Sequence, residues 1–160
     1  MDINFFLTEL KNKIGVNSPL QKVPIIPDSE ATIDNCFPNV LLKIKKHGGE
    51  IIYGWEIMLT NLLIEAQRHA IWKSPEGNFL DITPRNYSTN NCNFIEDNNL
   101  TYNVQVPDNI RINITKNPVV DHLILVAETI VKLYQTGERN ENGELLLINK
   151  ILTRFKSLNA

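Results

Sequence analysis

The stretch from Glu65 to Pro84 restricts the fold of this chain more than any other, because its middle is built to reverse direction. Ser74-Pro75-Glu76-Gly77 has proline at the second position of a type I turn and glycine at the fourth. A three-residue hairpin loop of this kind ends in a glycine of positive φ and forms a bulge. Ser74 then pairs with Asn78, Ile71 stands opposite Asp81, and His69 opposite Thr83. His69 and Asp81 become diagonal neighbours on one face, within reach of a side-chain hydrogen bond. A two-residue loop would shift the register by one and send them to opposite faces. The same alternation groups Glu65 and Gln67 with His69, and puts Ala66, Arg68, Ala70 and Trp72 on the other face.

The flanking segments supply partners for this hairpin. Ile3, Phe6, Leu7, Leu10 and Ile14 recur at helical spacing over residues 2–14, and Gly15 can end that helix. Residues 16–33 carry Pro19, Pro24 and Pro27 and read as an irregular surface arm. A second helix is expected over 36–47, capped by Asp34 or Asn35, with Pro38 tolerated in its first turn. Gly48-Gly49 turns the chain into a strand over 50–58, where Ile51, Tyr53, Trp55 and Ile57 share one face. Strands follow at 64–73 and 78–83, then a long polar loop to about Asn99. Thr101–Val106 and Ile110–Ile114 suggest another hairpin around Pro107-Asp108-Asn109. Asn117-Pro118 opens a helix over 119–136 whose apolar residues nearly encircle it, which predicts burial. A last helix over 144–158 would pair with it.

These elements predict an α+β fold in a single domain spanning 1–160: an antiparallel sheet of three to five strands, the Cys36 helix near its centre, and a C-terminal helical pair outside. The length of 160 residues suits one sizeable core. The net charge of −2 provides no field for nucleic acid or a membrane surface, and no apolar run is long enough to span a bilayer. The acidic start lacks the pattern of a signal peptide, and two cysteines are no disulfide framework. A cytoplasmic setting is therefore expected, although a protein exported by a dedicated secretion machine would read the same way.

Cys36 at a helix start has the surroundings of a nucleophile. The dipole and first-turn amides favour a thiolate, and those amides can hold an oxyanion. His69 would serve as base and then acid, with Asp81 orienting the imidazole. The order of a helix-borne cysteine, a Gly-rich turn and strand, His69-Ala70-Ile71-Trp72, and then Asp81-Ile82-Thr83-Pro84 resembles the transglutaminase-like branch of the papain-like cysteine enzymes. The resemblance covers roughly residues 35–84, with Gly48-Gly49 and Gly54-Trp55 between Cys36 and His69. It implies a Cys-His-Asp triad on a helix packed against an antiparallel sheet. Gln21 and Asn35 are the candidates for an oxyanion-assisting side chain, and Trp55, Glu65 and Gln67 for the cleft lining.

The expected function is cysteine-dependent acyl transfer on an amide or thioester of a protein or peptide: peptidase, deamidase, amidase or transglutaminase, with hydrolysis the default. No cofactor and no metal are implied, and the oligomeric state is open. Cys36, Cys92, His47 and His69 include zinc-ligand types, but no CxxC or HxxxH spacing joins them. The alternative function is a non-catalytic protein-binding module of the same fold. A toxin or effector that modifies host glutamines would use the same residues.

Overall fold

In a computed structural model, residues 2–101, 108–142 and 145–146 are described. Where the sequence reads as a single domain, the chain divides into two compact units: Met1–Val104 with Asn109–Lys116, and Gln105–Asp108 with Asn117–Ala160. The first unit holds α1 (Ile3–Ile14), β1 (Leu20–Pro24), α2 (Cys36–His47), β2 (Glu50–Leu59), β3 (Leu63–Lys73), β4 (Phe79–Leu80), β5 (Asn91–Glu96) and β6 (Ile110–Asn113). The second holds α3 (Pro118–Thr136).

The first unit is an α+β fold built on one antiparallel sheet. Its strand order is β1-β5-β2-β3-β4, and β6 also pairs with β3. A parallel bridge between Ile25 and Asp81 brings the end of β1 against the chain just past β4, so the sheet is nearly closed. Val23, Ile71, Cys92 and Phe94 pack across the inside, joined by Ile25, Ile52 and Phe79. Both helices cover the outside. Leu10 of α1 joins Trp55, Ile57, Ile64, Ala66 and Ile95, and Val40 of α2 joins Ala70, Trp72 and Ile82.

Local chemistry explains most of these elements. Asp2 caps α1 by accepting from the amides of Asn4 and Phe5, and Gly15 ends it at φ 74°. The hairpin has the register counted from its turn: Trp72 pairs with Leu80, Lys73 with Phe79, and the Ser74 amide donates to the Asn78 carbonyl at 2.9 Å. Gly77 supplies the positive φ, at 89°. The expected third strand shortens to two paired residues. At Asp81 the chain leaves β3 for β1, and the Asp81 amide donates to the Pro24 carbonyl.

Several expectations are corrected. The proline arm contains β1, because its prolines spare Leu20–Val23 and Pro24 falls at the strand end, where the lost donor costs little. The asparagine-rich loop contains β5, in which Cys92 and Phe94 point inward between Asn91, Asn93 and Ile95. With β6, the sheet has six strands among the described residues rather than three to five. In α3, which the pattern predicts to be well buried, Val120 is buried while Val119, Leu123, Leu125, Val126 and Ile130 are exposed. An apolar set that nearly encircles a helix exceeds what one packed face can cover. The Thr101–Val106 strand and nearly all of the 144–158 helix lie outside the described residues.

Two glycines separate packing from backbone conformation. A Cβ on Gly54 would sit 2.2 Å from the Ile95 carbonyl oxygen and 2.4 Å from the Phe94 ring, whereas one on Gly77 would meet nothing within 4 Å. G54A should therefore lose about 2–3 kcal/mol by overpacking, and G77A about 1 kcal/mol from its positive φ. Urea unfolding of the two variants would measure the difference, and equal losses would contradict it.

Candidate active site

Three elements of the first unit bring the site together. α2 carries Cys36 as its first residue. β3 carries His69 opposite Gly54 of β2, and the chain after β4 carries Asp81. His69 and Asp81 are both buried, and the His69 Nε2 lies 2.9 Å from Asp81 Oδ2. The missing side chain at Gly54 leaves room for Phe94, whose ring meets His69 edge-on at 6.4 Å between centroids. The Cys36 thiol is half-buried and near enough to the same imidazole to favour its protonated form. With Nε2 occupied by Asp81, Nδ1 is the ring nitrogen open to the thiol.

Asn39 fastens the cysteine helix to the aspartate segment. It stands one turn beyond Cys36. Its Nδ2 donates to the Thr32 carbonyl at 2.8 Å and to Thr83 Oγ1 at 3.3 Å, while its Oδ1 accepts from the Thr32 amide. The Thr83 amide in turn donates to Asp81 Oδ1 at 3.0 Å. One buried amide thus links the start of α2 to the carboxylate that holds the histidine.

Two further charges complete the site. Arg85 Nη2 donates to Asp81 Oδ2 at 2.5 Å. Arg85 Nη1 lies 2.8 Å from Glu56 Oε2, an ion pair by distance whose angles are not those of a hydrogen bond. Arg85 Nη2 also stands 3.4 Å from His69 Nε2. Both are donors when the ring is protonated, so we count no bond there. Glu56, His69 and the buried Cys92 have potential donor atoms within 4.8 Å of one another, the one such group of three among the described residues. The guanidinium already neutralises Glu56 and would repel a cation, so we read the group as a charge network and not as a metal centre. It includes neither Cys36 nor His47.

Burial opposes the charging of His69, but hydrogen bonds with Asp81 and Cys36 outweigh it and push the imidazole up to about 10. Burial likewise works against the Asp81 anion, and the bond to His69 and the charge on Arg85 hold its carboxyl below the ordinary value. Burial beside Glu56 pushes the Cys92 thiol far up, which leaves it an inert core residue.

The other expected site residues have different surroundings. Trp55 is not cleft lining: it lies on the outer face under α1, buried, with Nε1 donating to Asp97 Oδ2 at 2.9 Å. Even-numbered β2 residues share the histidine face and odd-numbered ones the other, so Trp55 cannot line the histidine's cleft. Glu65 has the right parity but is held by Arg111 Nε at 2.7 Å and Asn109 Nδ2 at 2.8 Å. Gln67 is exposed opposite Glu56. Gln21 is half-buried on β1 opposite Phe94. Asn35 precedes α2 without capping it, and its Nδ2 donates to Thr32 Oγ1.

The sequence reading missed Glu56, Arg85, Asn39 and Thr83. The signal for Glu56 was available, since it is an acid on the even-numbered face of a strand whose neighbour carries His69 on the same face. Beside Glu56, a cavity of about 320 Å³ opens between the end of β2 and the start of β5, with Tyr87, Thr89, Asn91 and Asn93 on its polar wall. No helix among the described residues is long and apolar enough to cross a membrane.

The His69 imidazole should titrate far above an ordinary histidine. Its folded-state value exceeds the unfolded 6.5, so its contribution to stability is full below about pH 6.5 and is lost as pH rises through about 10. In D81N, burial is left opposed chiefly by Cys36, and the ring midpoint should fall by more than about two pH units. Nitrogen NMR of the imidazole would measure both values, and a wild-type midpoint near 6.5 would refute the network.

Comparison with known proteins finds no matching family model, no matching curated protein and no matching solved structure.

Proposed function

We propose that this chain is a cysteine-dependent acyl-transfer enzyme of the transglutaminase-like or papain-like kind, acting on an amide or thioester of a protein or peptide. One observation carries the proposal: a buried His69–Asp81 pair at 2.9 Å whose imidazole is also influenced by the cysteine at the start of α2. Each group suits one role. An imidazole that stays protonated beside the thiol favours the thiolate-imidazolium pair.

In the proposed reaction the Cys36 sulfur attacks the acyl carbon, forming a C–S bond and a tetrahedral oxyanion. The α2 N-terminus, which Cys36 begins, favours that negative charge. The His69 imidazolium gives its proton to the leaving nitrogen or sulfur, and the acyl bond to that atom breaks. Water then loses a proton to His69 and attacks the thioester, the C–S bond breaks, and the acid leaves with the thiolate-imidazolium pair restored. An amine in place of water would give transfer instead of hydrolysis. Hydrolysis is the default because water needs no second binding site.

The fold supports the same reading. A cysteine-bearing helix lies on a nearly closed antiparallel sheet, next to the strand that carries the histidine. A binding module of the same shape would need neither a reactive thiol nor a protonated ring beside it.

Iodoacetamide labelling separates the two. Cys36 should react at pH 6 as fast as an ordinary thiol does near pH 8.5, and H69A should slow it at pH 6 by about 100-fold or more. Against a library of acyl thioesters and glutamine peptides, C36S should lose at least about 10³-fold in turnover. A Cys36 that alkylates like a free thiol, with H69A unchanged, would leave only the binding-module reading.

A further inference from the structure

A buried carboxylate needs a partner for each oxygen, and Asp81 has one more than its proposed role requires. Oδ1 takes the Thr83 amide and Oδ2 takes His69. Arg85 then adds a charge-assisted bond to the same Oδ2. The guanidinium is itself held from the other side by Glu56, which comes from a different strand and is buried. His69, Asp81, Arg85 and Glu56 therefore form one chain of alternating sign through the interior of the sheet. Leaving one such charge uncompensated costs far more than any surface pair contributes.

We propose that Arg85, anchored by Glu56, is a positioning residue for the His69–Asp81 pair. It fixes the plane of the Asp81 carboxylate and shares its negative charge with the imidazole. This rests on the Cys36–His69–Asp81 reading and deepens it, by naming what sets the strength of the general acid. The sharing is geometric. One oxygen serves two donors, so the histidine feels less than a whole carboxylate. Glu56 in turn draws the guanidinium toward β2, so Arg85 cannot neutralise Asp81 completely.

The groups facing His69 are few: Asp81 and Arg85 from the segment after β4, Glu56 from β2, Cys92 from β5 and Cys36 from α2, with Tyr87 behind Arg85 and Glu56. Cys92 stays neutral and Tyr87 is pushed up, by burial first and then by Glu56, so neither offsets a change at Glu56 or Arg85. Removing Arg85 leaves two acids against the ring. Removing Glu56 leaves the cation undiluted beside it. The two changes must act in opposite directions, which a purely structural role would not produce.

The test follows the imidazole midpoint of His69 by NMR and the pH profile of Cys36 alkylation, in the full chain. E56Q should lower the His69 midpoint by about one pH unit and R85Q should raise it by a similar amount. The double variant E56Q/R85Q should return to within about 0.3 of the wild type. R85K keeps the charge but not the two-pronged fork, so its midpoint should hold while Cys36 alkylation at pH 6 slows about tenfold. Shifts of E56Q and R85Q in the same direction, or no shift in either, overturn the proposal. Should R85Q fail to fold by circular dichroism, E56Q and R85K decide it, and an unmoved midpoint in E56Q overturns it. If H69A leaves alkylation unchanged, the enzyme reading fails, while the ring titration still judges the Arg85 network by itself.

Discussion

The Asp81 carboxylate is fully buried, and the first unit depends on how it is satisfied. Its backbone closes the sheet: the amide donates to Pro24 and the carbonyl accepts from the Ile26 amide, both at 2.9 Å. Its side chain gathers His69, Arg85 and the Thr83 amide. A buried anion without these partners would cost several kcal/mol. The seam of the sheet and the site are therefore made by one residue. A displacement that opened the seam would also release the histidine. This coupling explains why the ladder of β4 ends after two residues. Asp81 can serve β1 only by leaving β3.

The hairpin was legible in the sequence because its register is set locally. Pro75 and Gly77 define the turn, the turn defines the pairing, and the pairing brings His69 to Asp81. α2 was legible for the same kind of reason, with Pro38 in its first turn and Gly48 at its end. β1 and β5 were not. Each depends on the other, with Val23 opposite Cys92 and Gln21 opposite Phe94, some seventy residues apart. Neither segment has strong strand composition by itself. Prolines hide one and asparagines the other. Their inward residues, Val23 on β1 and Cys92 and Phe94 on β5, acquire meaning only once the sheet closes around them.

The charge network was hidden by the same cause. His69 and Asp81 are joined through a turn, so counting finds them. Glu56 comes from a separate strand, and Arg85, only four residues past Asp81, reaches its carboxylate beyond the paired part of the hairpin, where counting register no longer applies. The β2–β3 ladder, in which Gly54 faces His69 and Glu56 faces Gln67, is what turns Glu56 toward the histidine. Trp55 shows the reverse. Its neighbours made it look like a wall of the site, but a single step in parity places it in the core with Leu10 and Val16.

The electrostatics of the interior then follow from balance. Two acids, one guanidinium and one imidazole share a space from which water is largely excluded. With the ring neutral, Glu56, Asp81 and Arg85 sum to one negative charge. With the ring protonated, the sum is zero. The protonated ring is therefore the electrically balanced state of the interior, in keeping with the pull of Asp81 and Cys36 that outweighs burial at His69. A thiolate at Cys36 adds a negative charge at the rim, where the start of α2 and the half-exposed position of the sulfur can tolerate it. The interior is neutral without the thiolate and supplies a proton donor next to it.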